Sequence, residues 1–255
     1  MRAGATARLG LFALAYWAFA PADTLVDLAI GPLLVSPCLA HPLGTDDLGR
    51  DFLAAVLQAA RTAFTVAAAA AVLAPARGSA VGLCAGLGGP ILDEALMRTG
   101  EIVASLPVLL LAILVAALFG GSNAALVVLV GGTRWPLIAR LVRIETIALS
   151  ARPFVRAAVA LGASPWGIAR RHLLPALAPG LAAASGIVFG GAILTEPVLA
   201  LVGLGDPQVT SLGQLIANGF ALVGLGWWLW LGPTAMLMLA AGLVAIATAE
   251  RVEAN

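Results

Sequence analysis

Three ionisable side chains in this sequence, Arg77, Arg134 and Glu196, stand inside runs of apolar residues. Charge in such a place is costly to bury, and it is retained where it lines a pathway, pairs with a neighbouring helix or reaches the headgroups. Arg134 lies beside Gly131, Gly132 and Pro136, residues around which a helix can unwind along a pathway. Snorkelling or pairing with another helix is the alternative for Arg134. Arg77, two residues after Pro75, reads more simply as reaching cytoplasmic headgroups. Glu196, just before Pro197, is open to three roles: structural partner, gate residue or substrate ligand.

The remaining chemistry is mostly ruled out. All 14 basic residues are arginine, so there is no lysine to hold nucleotide phosphates in a P-loop or to form a Schiff base. If the chain's work uses ATP, another chain binds it. Cys38 and Cys84 are too few and too far apart for a disulfide framework or a zinc site, and read as small packing residues. His41 and His172 are expected on opposite sides of a membrane, outside its spans. Neither Gly-x-Ser-x-Gly nor His-Glu-x-x-His occurs, which argues against an intramembrane protease. No catalytic residue, resident cofactor or metal site is expected.

The elements that position these residues must be membrane helices. A hydrophobic content of 61% and a mean hydropathy of +1.03 are outside the range of soluble domains. Spans are expected near 9–30, 62–87, 102–119, 124–146, 181–202 and 223–247, giving an all-α polytopic protein of six transmembrane helices. The first is read as an uncleaved span rather than a signal peptide. Six spans put both termini on one side, together with most of the arginines; Arg50 and Arg61 fall opposite. The positive-inside rule makes the arginine-rich side cytoplasmic. The expected organisation is a cytoplasmic tip and first helix over 1–35, an extracytoplasmic segment and the start of the second helix over 36–61, and a core over 62–255.

On the outer side, His41 to Asp51 is polar and dense in charge. Asp46, Asp47, Arg50 and Asp51 read as a solvated, self-paired turn capping the next helix, with an outer-gate role for Asp46 and Arg50 as the alternative. On the cytoplasmic side, residues 151–179 read as two short amphipathic helices. Pro153 suits the first turn of one, and Gly162 its left-handed end. Ser164 suits the N-cap of the second helix, Pro165 its first position and Pro175 its stop. Such an element serves to dock onto something, or merely connects.

The run Arg156-Ala157-Ala158 to Gly162, continuing to Leu173-Leu174-Pro175, resembles the "EAA" loop of ABC importer permeases. The block His41-Pro-Leu-Gly-Thr-Asp-Asp-Leu-Gly-Arg-Asp51 is similar to the segment before the second span in the dipeptide/oligopeptide/nickel branch. Further similarity runs from Gly88-Gly89 through Ile193-Leu-Thr-Glu-Pro197 to Gly205. The resemblance implies a type I importer permease fold with cytoplasmic coupling helices. It assigns contact with an ATPase to Phe154, Arg156, Ala157, Ala158, Leu161, Gly162, Ala163 and Trp166. Arg156 stands where the motif carries an acid, so one ion pair is inverted or missing. The resemblance further implies a B-type permease as heterodimer partner, two ATPases binding ATP and Mg, and an extracytoplasmic substrate-binding protein. It also implies a bacterial inner-membrane location, no nucleic-acid partner, and peptides, nickel chelates or similar small solutes as cargo. A channel or secondary transporter working without an ATPase is the rival; it would bury more paired ionisable groups near the midplane.

Overall fold

The computed structural model describes residues 31–206 and 209–253; the span expected over 9–30 lies outside them. Among the described residues the regular elements are all helices, joined by turns and loops, with one isolated bridge between Thr45 and Asp51. Helix α1 is Phe52–Leu87, α2 Pro90–Ser105, α3 Val108–Phe119 and α4 Asn123–Ser150. Two short helices follow, α5 Pro153–Ala160 and α6 Pro165–Ile168, then a π-helical stretch Ala169–Leu173. Helix α7 is Leu174–Leu201, α8 Leu212–Ala221 and α9 Trp228–Glu253.

Four helices are long and apolar enough to cross a bilayer, and five if the bent pair α2–α3 counts as one span. The third expected span is that pair, broken by 83°. Pro107 is the cause: a residue before proline avoids the helical region, and Leu106 is extended at ψ 127°. The second expected span begins ten residues early, because Asp51 caps α1 at Phe52 by accepting from the Ala54 N–H. At 36 residues α1 is about 54 Å long, well beyond a hydrocarbon core of about 30 Å.

Pro175 does not stop its helix, contrary to the sequence-based expectation. The chain runs as one helix from Pro165 to Leu201. The π-helical turn spans the residues just before Pro175, and Leu174 N–H reaches back five residues to the Ala169 carbonyl. The wider turn absorbs a ring that would collide with the carbonyl four residues back in a regular helix. The loop expected after Gly205 also contains structure, since Ser211 accepts from Gly213 N–H and starts α8.

A glycine seam holds the bundle together. Gly78, Gly82 and Gly86 of α1 face Ile138, Val142 and Thr146 of α4 in matching four-residue steps, so the two helices run in the same direction. A Cβ at these glycines would lie 2.5 Å from Ile138 Cβ, 2.6 Å from the Ala139 carbonyl and 2.6 Å from Thr146 Cγ2. Small residues at four-residue spacing let membrane helices approach this closely, where lipid supplies no hydrophobic drive. Around the seam, Leu83, Ile138 and Val142 share a core with Val155, Ile168, Leu173 and Leu177.

Candidate functional site

The element over 151–179 is built by turn chemistry. Helix α5 ends in a Schellman motif: Ala163 N–H donates to the Ala158 carbonyl and Gly162 N–H to the Val159 carbonyl. This geometry needs a left-handed residue, and Gly162 sits at φ +85°. Ser164 then starts α6 by accepting from Gly167 N–H at 3.1 Å. Val155, Ile168 and Leu173 anchor the element in the bundle, each no more than 5% exposed. The outward face is apolar: Phe154, Val159, Leu161 and Trp166 are 49%, 56%, 89% and 70% exposed. Arg156, Ala157, Gly162 and Ala163 are exposed and Ala158 is half-buried. A rigid, anchored ridge with large bare apolar side chains is suited to fill a groove on another protein.

On the same side, Asp93 of α2 accepts from Nε and Nη2 of Arg143 on α4, a link that sequence reading missed because the two residues are 50 apart. With Arg98, Glu101 and Arg140 these residues line a cleft of about 470 Å³.

On the opposite side, residues 31–51 form a compact clasp. Thr45 is fully buried and bonds the Pro32 carbonyl and Val35 N–H, both at 2.8 Å. Asp46 corrects the expectation of a solvated turn, because it is only 3% exposed. Its carboxylate accepts from Leu48 N–H, Arg50 N–H and Arg50 Nε, so burial leaves it fully partnered within the loop. Gly44, at φ +72°, lets the Trp228 indole reach the Thr45 carbonyl at 3.4 Å. The clasp therefore grips the start of α9.

Asp51 belongs to both the clasp and α1. Burial raises its carboxyl, but the hydrogen bonds from His41 and the Ala54 amide outweigh that and leave it lowered. A carboxyl lowered on folding stabilises above its unfolded pKa, and that stabilisation is lost as pH falls through the lowered value. The contribution is thus present above about pH 4 and lost below it. Asp51→Ala is expected to cost about 1 kcal/mol and to flatten the acid limb of the stability curve, read as melting temperature against pH in detergent. An unchanged acid limb would remove Asp51 from this role.

Within the spans, Arg77 of α1 lies over the Trp135 ring of α4, 5.4 Å from its centroid. Glu196 of α7 is 1% exposed and its carboxylate is hydrogen-bonded by Ser211, the N-cap of α8. Beside it the backbones touch, and a Cβ at Gly213 would fall 1.9 Å from the Pro197 carbonyl. Arg134 of α4 rests against Gly191 of α7. Structure thus brings Glu196 under α8 and Arg134 to the α4–α7 groove; it does not bring the two together.

Broken and proline-bearing membrane helices, with an apolar ridge at one end and a clasp at the other, define a multi-pass membrane protein. Residues 78–250 match the family model described as "Binding-protein-dependent transport system inner membrane component". The probable D,D-dipeptide transport system permease protein DdpC of Escherichia coli is 33% identical, over 82% of this chain and 70% of its own length. The oligopeptide transport system permease protein OppC of Mycobacterium bovis is 34% identical over 84% and 74%, and the glutathione transport system permease protein GsiD of Pectobacterium atrosepticum 32% over 81% and 69%. An inward-facing form of the MetNI methionine ABC transporter shares the fold, with a TM-score of 0.61 at 23% identity, covering 80% of this chain and 97% of that one. The chain belongs to the binding-protein-dependent transport system inner membrane component family. It is a permease subunit of an ABC importer, a multi-pass protein of the inner membrane.

Proposed function

We propose that the chain is half of a translocation pathway for small peptides or similar solutes, paired with a B-type permease. Two ABC ATPases bind and hydrolyse ATP with Mg below it, and an extracytoplasmic binding protein delivers solute above it. The chain itself supplies no catalytic residue and binds no nucleotide or metal. Its termini are cytoplasmic. Residues 1–35 supply the tip and first helix, 36–61 the outer clasp and start of α1, and 62–255 the permease core. Peptide or glutathione transport in the names of the relatives supports this cargo class; nickel has no such support.

The observation that carries the coupling role is the bare ridge of Phe154, Leu161 and Trp166 on an element fixed by Val155 and Ile168. A rigid body docked in a groove transmits domain closure to the helices behind it. Asp46 and Arg50 act in this reading as the brace of the outer clasp, and Glu196 as the anchor of α8. Arg134 alone remains for the pathway. The test is co-purification with the partner ATPase. Wild type is expected to retain it and to import peptide only with ATP, whereas Trp166→Glu loses it. Import driven by an ion gradient with no ATPase would replace this reading by that of a secondary transporter.

A further inference from the structure

Helix positions place Arg134 at the middle of the bilayer by two independent counts. It is 11 residues into α4, about 16 Å from the outer end at 1.5 Å per residue, and Gly191 is 10 residues from the outer end of α7, about 15 Å. Half of a hydrocarbon core of about 30 Å is the same depth.

The guanidinium lies face-on to Gly191. A Cβ built on that glycine would be 3.5 Å from Nη1, 3.6 Å from Cζ and 3.6 Å from Nη2, which is possible only above the plane of the group. The donor N–H groups of a guanidinium lie in its plane, so they point along the groove rather than into α7. Among the described residues they have no hydrogen-bond or ion-pair partner. Among the described residues no acid is placed to supply one: α1 and α3 contain none, α4 has only Glu145 near its cytoplasmic end, and α7 has only Glu196. Glu196 is five residues from Gly191 and turned roughly 140° around the helix, with Ser211 bonded to its carboxylate and its buried Oε2 left without a partner. Arg77 of α1 has an aromatic face to cover it. Arg134 does not.

The groove beside it is polar without being demanding. Thr133 and Thr195 donate to carbonyls of their own helices, to Leu129 at 2.9 Å and to Gly191 at 2.7 Å, and Gly132 faces open space. An unpaired charge at the midplane is too costly to keep for packing alone. We propose that Arg134 is the midplane site for the carboxylate of the passing solute, held edge-on by two guanidinium N–H groups. Two parallel bonds of this kind give a carboxylate both affinity and orientation. The inference rests on the reading of the chain as a permease for peptide-like solutes.

The test uses the assembled transporter in nanodiscs, treated with the arginine reagent phenylglyoxal and read at Arg134 by mass spectrometry. Tri-alanine should slow modification several-fold and tri-alanine amide should not. Arg134→Gln is then expected to lower ATP-driven import of tri-alanine about tenfold or more, the usual loss for a hydrogen-bonded charge, and to spare the amide. Equal protection by both peptides, or by neither, overturns the proposal. So does an Arg134 that resists modification without solute, because a protein carboxylate then already holds it, from the partner permease or from Asp23 or Asp27. A wild type that imports neither peptide removes the peptide reading, whereas protection by tri-alanine alone would still establish the carboxylate site.

Discussion

Gly162→Asp is expected to leave the protein in the membrane and the ATPases active while uptake falls roughly thirtyfold. The glycine is at φ +85°, and nothing lies within 4 Å of where a Cβ would stand. Aspartate tolerates the left-handed region better than most residues, so the backbone cost is about 1 kcal/mol and the helix pair persists. The larger effect comes from placing a carboxylate on the ridge between Leu161 and Trp166, which in the proposed coupling role enters a groove on another protein. An unpaired charge in a closed interface costs at least about 2 kcal/mol, the origin of the thirtyfold figure. Gly162→Asn carries the same backbone strain without charge and should retain most uptake. Import and ATP hydrolysis measured together in proteoliposomes decide the matter. Normal import by Gly162→Asp would show that the ridge does not carry the coupling.

Gly82→Val should destabilise the chain by about 3 kcal/mol or more, the upper range for overpacking a tight interior. The branched side chain would meet the Ala139 carbonyl and the Val142 side chain at once, and a backbone carbonyl cannot swing away. Helices α1 and α4 must then separate. Arg77 would leave the Trp135 ring, and the Asp93–Arg143 link would be strained at the cytoplasmic end. A large drop in melting temperature in detergent and failure to assemble are the expected readings. Gly132→Ala is the control on the facing helix α4, since open space surrounds that glycine and alanine favours the helix. Equal melting temperatures for wild type and Gly82→Val would mean that the seam is not a close contact.

Much of the fold was legible because solubility in hydrocarbon is a local, additive property. Apolar runs, prolines and caps located most helices and the short helix pair over 151–179, down to the left-handed Gly162 and the Ser164 cap. Several features had signals that went unread. Gly78, Gly82 and Gly86 spell a small-residue seam at four-residue spacing. Ser211 followed by Gln214 is the spelling of a capping box, and it does open α8, although Gln214 turns instead to the Asp206 carbonyl. Leu106-Pro107 announced a break, yet only the backbone shows a bend of 83°.

By itself the sequence determined that this is an all-helical membrane protein with no lysine for a P-loop, and with an arginine-rich pair of short helices between two spans. Composition and short-range caps suffice for that, since each term is set within a few residues. Which charges are satisfied was decided only by the tertiary structure. Asp46 is closed within its own loop, Asp93 reaches Arg143, Arg77 finds Trp135, and Arg134 meets the bare backbone of Gly191. Three of these four outcomes depend on how two helices distant in sequence are set against each other. Between α1 and α4, that setting follows from three absent side chains on one face of α1.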